Sequence, residues 1–226
     1  MNELLPLSPI TAIAGHYGVG KTNFSLNLAL AAQERGQEVT LMDVDIVNPY
    51  FRSSDYTDFL ESRGIRIVAP VFAQSMLDTP SLPGSMQAAI EHASDTHPLI
   101  IDMGGDDEGA KAMGRFSSAI KSGDSPYTML YVINERREIE SPEETAQMLK
   151  DIERRCKIKA TGVVNNTHLS EETTLSVVEA SAPFAEKTAS LLGLPIVCTA
   201  VPARYAQQAH VVRPFPVDRH VRMPWE

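Results

Sequence analysis

Residues Gly15-His16-Tyr17-Gly18-Val19-Gly20-Lys21-Thr22 spell G-x-x-x-x-G-K-T, a spacing whose chemistry is the holding of phosphates. Gly18 and Gly20 can take positive φ and let successive main-chain N–H groups approach an anion. Lys21 adds a mobile positive charge, and the Thr22 hydroxyl is the expected Mg²⁺ ligand. A helix starting near Lys21 would aim its positive end at the same phosphates. The residues from Gly15 through Asn23 are therefore the expected nucleotide-contacting stretch.

Three carboxylates complete the chemistry. Asp43 and Asp45 end an apolar run, and the period of two in a strand predicts both on one face. Acids at the carboxyl edge of a parallel sheet can hold Mg²⁺ through water and polarise an attacking water. Asp102 follows Leu99-Ile100-Ile101 and precedes Met103-Gly104-Gly105. Such an acid would act on the Mg²⁺ shell, while the amide of Gly104 or Gly105 senses a γ-phosphate and the glycines free the loop to move after hydrolysis.

These groups need a frame. Ile10 to Ala14 reads as a buried strand entering the phosphate loop. Further apolar, β-branched runs recur at Val39 to Met42, Ile65 to Val68, Leu99 to Ile101, Met129 to Ile133, Ala160 to Val164 and Ile196 to Ala200. Helical patterns separate them near 21–35, 84–94, 109–121, 142–154 and 173–192. That alternation predicts an α/β fold, a three-layer sandwich whose mostly parallel central sheet carries helices on both faces. Ser141-Pro142-Glu143-Glu144 predicts a helix start with Ser as N-cap. The proline-rich stretch from Arg213 onward predicts an extended tail packed on the body. A single domain over 1–226 is expected.

With these residues in view, the chain resembles the MinD/ParA-type branch of P-loop NTPases, the SIMIBI class that includes the CobQ/CobB/MinD/ParA nucleotide-binding domain. The likeness runs through Gly15 to Thr22, Asp43-Val44-Asp45, Asp102-Met103-Gly104-Gly105 and Val163-Val164-Asn165-Asn166. It implies a P-loop NTPase fold and ATP/ADP with Mg²⁺ as ligands. It further implies Asp45 as the acid activating the hydrolytic water, Lys21 as the charge on the transferred phosphate, and Thr22, Asp43, Asp45 and Asp102 around the metal. Asn165, then Asn166, would read the adenine edge, with backbone near Pro202 against the base. His16 stands where many relatives carry a lysine that reaches across a dimer. A histidine is shorter and only partly charged near neutral pH, so the implied nucleotide-linked homodimer is expected to be weak. ATP is expected over GTP because no N-K-x-D segment follows a late strand.

The activity implied is ATP hydrolysis used as a switch on a partner protein, slow without that partner. Two alternatives stay open: a nucleotide-sensing module with negligible turnover, and a GTPase-type metallochaperone. A phosphate-transferring kinase or ligase fits less well in a chain of 226 residues without a separate acceptor domain. A formal net charge of -9 disfavours bulk nucleic-acid binding. Cys156 and Cys198 lie far apart without C-x-x-C spacing, so no disulfide framework or iron–sulfur cluster is expected. Without a basic leader or a membrane-length apolar run, the cytoplasm is the expected location. The client protein has no signature in the chain.

Overall fold

The computed structural model describes residues 7–45, 53–70, 84–105, 107–123, 126–137, 141–168 and 172–221. Its centre is one eight-stranded sheet in the order β3-β2-β4-β1-β5-β6-β7-β8. The strands are β1 (Ile10–Ala14), β2 (Thr40–Asp43), β3 (Arg66–Val68), β4 (Leu99–Asp102), β5 (Tyr127–Ile133), β6 (Gly162–Asn165), β7 (Ile196–Pro202) and β8 (Pro214–Val217). Every pairing is parallel. The inner strands are apolar on both faces because the helices form a layer on each side, and β1 is buried at all five positions.

The helices are α1 (Lys21–Gln33), α2 (Thr57–Glu61), α3 (Gly84–Glu91), α4 (Asp107–Gly114), α5 (Ser117–Ser122), α6 (Pro142–Cys156), α7 (Leu175–Ala180) and α8 (Ala182–Leu192). The expected N-cap on α6 is present, with the Ser141 hydroxyl accepting from the Glu144 amide at 3.2 Å. Two expected helices are each split. The 109–121 pattern turns between α4 and α5, where Gly114 packs so closely that a Cβ would stand 2.7 Å from the Arg155 carbonyl oxygen of α6. The 173–192 pattern breaks at Ser181, since Pro183 in the first turn of α8 has no N–H to continue α7.

The tail adds an element that periodicity does not reveal. Pro214–Val217 is a strand at the sheet edge, pairing only with β7 among the described residues, with Phe215 and Val217 buried and Pro216 exposed. Proline suits an edge strand, where one side of the ladder is open. Phe215 reaches Phe24 of α1, ring centroids 5.4 Å apart, and so fastens the tail to the helix that follows the phosphate loop.

Strand order reverses around β1, which lies between β4 and β5. The carboxyl ends of β1, β2 and β4 meet there, and a crevice at such a switch point is where ligands collect in open α/β sheets.

Candidate phosphate- and nucleotide-binding site

The phosphate loop runs from β1 into α1. Gly18 and Gly20 have φ of 77° and 92°, the left-handed conformation expected of them. Gly20 is also the N-cap of α1 and offers no side-chain cap, so the first-turn N–H groups remain directed at the loop. The first turn carries no acid. Lys21 is buried, and its Nζ donates to the His16 carbonyl at 2.9 Å. The Nδ1 atom of His16 is buried with no hydrogen-bond partner among the described residues.

Asp43 and Asp102 face each other across β2 and β4, in register at the carboxyl edge. Both are buried, and their oxygens are taken up by hydroxyls and amides. Asp102 accepts from Ser25 Oγ of α1 at 3.3 Å and from Ser53 Oγ. Asp43 accepts from the Asp45 amide at 2.9 Å and from the amide and hydroxyl of Ser54 at 2.9 and 2.8 Å. Burial pushes Asp102 up to about 7, with the negative charge of Asp43 adding and the hydroxyl of Ser53 and the charge of Lys21 opposing. Burial likewise raises Asp43. Two carboxylates so close in a dry site need a proton or a cation between them.

The period-of-two argument for Asp43 and Asp45 sharing one face does not extend to Asp45. β2 ends at Asp43, so strand alternation does not reach Asp45, whose main chain instead turns back to donate to Asp43. Asp45 nevertheless lies against the third acid's loop, since a Cβ on Gly104 would stand 3.2 Å from Asp45 Oδ1. Gly105 packs directly on the phosphate loop. A Cβ there would meet Lys21 Nζ at 2.6 Å and the Tyr17 Cα and N at 2.7 Å, so a side chain cannot be admitted without moving backbone. The stretch 46–52, including Pro49, Tyr50, Phe51 and Arg52, lies outside the described residues.

On the other flank stand the residues expected at the base. Asn165 is buried, donates from Nδ2 to Ser181 Oγ at 2.8 Å and accepts the Thr167 amide at 3.2 Å, so its side chain holds β6 to the α7–α8 turn. Asn166 is also buried, and its Nδ2 donates to the Val19 carbonyl of the phosphate loop at 2.7 Å while Oδ1 meets His168 Nε2 at 2.9 Å. Burial, with the positive charge of Arg137 nearby, lowers His168 to about 4, which keeps the ring neutral. His168, Asn23 and Pro202 line a cleft of about 300 Å³ with Ala203, Arg204, Val217, Asp218 and Arg219. That volume lies at the lower end of small-ligand sites.

The family model for the CobQ/CobB/MinD/ParA nucleotide-binding domain matches residues 10–177, from β1 into α7. The chain belongs to this family. A curated relative, antiactivator FleN of Pseudomonas aeruginosa, is 46% identical over 46 residues, 20% of this chain and 16% of FleN. Among solved structures, the Signal Recognition Particle 54 kDa protein of Aeropyrum pernix in complex with GDP is similar with a TM-score of 0.55 and 15% identity, covering 88% of this chain and 42% of that one. FtsY of Elizabethkingia anophelis in complex with GDP is similar with a TM-score of 0.52 and 16% identity, covering 83% and 55%. At those identities the solved structures speak for the fold. The chain spans less than two thirds of the length of each of these proteins.

The chain's residues fit the ligands of a nucleotide-binding family. The glycine turns, the uncapped start of α1, the buried Lys21 and the unpartnered His16 Nδ1 suit a phosphate group. The Asp43–Asp102 pair beside α1 suits a divalent cation held with the Thr22 hydroxyl, whose nearness lowers Asp102 slightly against its burial. No group of three or more His, Cys, Asp or Glu disposed to hold a metal occurs among the described residues; a cation here would rely on Thr22 and on the phosphates themselves. Sequence reasoning missed Ser25, Ser53, Ser54 and Asn27. Their one sequence signal is polarity within or beside apolar elements.

Proposed function

We propose that the protein is a Mg²⁺-dependent ATPase of the MinD/ParA type that works as a switch on a partner protein. The observation that supports this best is the convergence of the phosphate loop, the Asp43–Asp102 pair and the Gly104–Gly105 loop at the sheet's switch point. Thr22, Asp43, Asp45 and Asp102 would hold the cation, which supplies charge neutralisation between the phosphates. Lys21 and the loop amides would bind the phosphates, and Asp45 would orient the attacking water in line with the γ-phosphorus. Gly105, already against Lys21 and Tyr17, would report the γ-phosphate through its amide. The cleft beside Asn23 and Pro202 would take the nucleoside. Asn166, tied to Val19, supports the loop rather than facing a base in this reading.

ATP over GTP rests on the missing N-K-x-D segment; the GDP in two structural neighbours belongs to proteins alike in fold alone. FleN is an antiactivator by name, and a protein client for this chain is in keeping with that. No described helix is long and apolar enough to cross a membrane, and Cys156 and Cys198 are buried free thiols, which suits the reducing cytoplasm.

Steady-state phosphate release and calorimetry on the parental protein and Asp45→Asn test the proposal. Asp45→Asn should bind ATP as before and lose at least about tenfold in hydrolysis, the low end for a lost general base. Parental-rate hydrolysis in the variant would move that role elsewhere, and no phosphate release from either protein would leave a nucleotide-sensing module.

A further inference from the structure

The polar residues of α1 carry an arrangement that phosphate chemistry does not require. Asn27 Oδ1 accepts the Asp218 amide at 2.8 Å, and Asn27 Nδ2 donates to the Asp218 carbonyl at 2.9 Å. One turn earlier, Asn23 Nδ2 donates to the same carbonyl at 3.0 Å, and Asn23 Oδ1 accepts the His220 and Val221 amides at 2.9 and 3.3 Å. Two side chains on one helix face thus take over main-chain groups of a segment that leaves β8 and pairs with no strand among the described residues. The segment's other side meets α2, where the His220 ring lies 5.4 Å from that of Phe59.

The same segment walls the cleft. Val217, Asp218 and Arg219 line it together with Pro202, Ala203, Arg204, His168 and Asn23, the residue after Thr22. β8 and the loop after it are therefore fixed to the helix that begins at the phosphate loop, and they share the cleft lining with Asn23 of that helix.

We infer that residues 217–221 are a nucleoside clasp, a strap tied to α1 through Asn23 and Asn27 that forms one wall of the cleft and holds the nucleoside part of the nucleotide separately from its phosphates. The inference rests on the nucleotide reading of the site. It assigns to the C-terminal strand a share of ligand affinity that the phosphate loop does not provide.

Asn27→Ala is the direct test. Asn27 does not line the cleft, yet its loss removes two of the three side-chain bonds from α1 to the Asp218 main chain. Binding of ATP and of inorganic tripolyphosphate is measured by calorimetry on the parental protein and the variant. ATP affinity should fall about tenfold, as two modest hydrogen bonds warrant, while tripolyphosphate affinity stays within about twofold and serves as the check on the loop's integrity. Asp218→Pro, which deletes the amide that Asn27 accepts at an exposed position, should behave alike and covers the case of a poorly folding Asn27→Ala. Unchanged ATP affinity in both variants, or equal losses for ATP and tripolyphosphate, would overturn the clasp. A parental protein that binds tripolyphosphate as tightly as ATP would overturn it too. A parental protein that binds neither compound refutes the nucleotide reading itself.

Discussion

Asn166 distinguishes two roles that a carboxamide at the end of a late strand can play. If it anchors the phosphate loop, as its 2.7 Å bond to the Val19 carbonyl indicates, then Asn166→Ala acts on phosphate binding. The side chain is only 2% exposed, so water does not replace it. The substitution deletes two buried hydrogen bonds and strips His168 Nε2 of the Asn166 acceptor it meets at 2.9 Å. With roughly 1 kcal/mol for a net bond and 1–3 kcal/mol for a buried group left short of a partner, the fold should lose about 2–4 kcal/mol. A domain of ordinary stability survives that. The freed loop must be ordered again by the ligand, at about 1–2 kcal/mol for one residue's backbone, which weakens binding about five- to thirtyfold. Urea denaturation reads the first quantity, and calorimetry with ATP and with tripolyphosphate reads the second. An anchor predicts equal losses for both ligands. Loss confined to ATP would mean that Asn166 reads the base, and unchanged stability would refute the anchoring argument altogether.

Gly105→Ala places a methyl 2.7 Å from the Tyr17 backbone, so the ligand-free protein should lose about 1–3 kcal/mol in urea, the usual cost of overpacking; an unmoved midpoint would mean that the two loops are not in contact in solution. Asp102, at about 7 against an ordinary 3.8, holds a proton in the folded chain that the unfolded chain releases. Stability without ligand should therefore fall as pH rises from about 4 to 7, by an amount on the order of 4 kcal/mol. Asp102→Asn should flatten much of that slope in denaturation profiles, and a slope of parental size would place the titrating group elsewhere. For assembly, ATP must favour a dimer over ADP if its γ-phosphate contacts both chains. With His16 in the lysine position, sedimentation should show a weak ATP-dependent dimer, and one unchanging species with ATP, with ADP and without nucleotide would rule it out.

The frame was legible because its signals are local. Continuous apolar runs gave seven of the eight strands in order, and the spacing from Gly15 to Thr22 placed a glycine with positive φ at the start of α1. Breaks inside helices were less visible. Gly114 turns the chain because Arg155 of another helix stands against it, and nothing near residue 114 in sequence says so. β8 escaped for a related reason: prolines argue against a strand until it is known to lie at an edge. The family likeness directed Asn165 and Asn166 to the base, and the bonds they make to Ser181 and Val19 are tertiary contacts that a likeness of position does not carry.

The serine and the two asparagines of α1 show where sequence reasoning can be extended. Asn23, Ser25 and Asn27 sit in a helix most of whose residues are buried. A polar side chain in such a place costs more than the fold can spare unless it is hydrogen-bonded. The sequence thus implies that each has a partner, while the partners' identity is a matter of topology: Ser25 meets Asp102, 77 residues on, and Asn27 meets Asp218, 191 residues on. Only the tertiary arrangement, with β4 beside β1 and the segment after β8 returning to α1, brings them together. One helix therefore touches the acid pair through Ser25, the phosphate loop through its first turn, and the cleft wall through Asn23 and Asn27. Movement at any of these three places has α1 as its common support, and a ligand that engages phosphate, cation and nucleoside together would hold that support from all three.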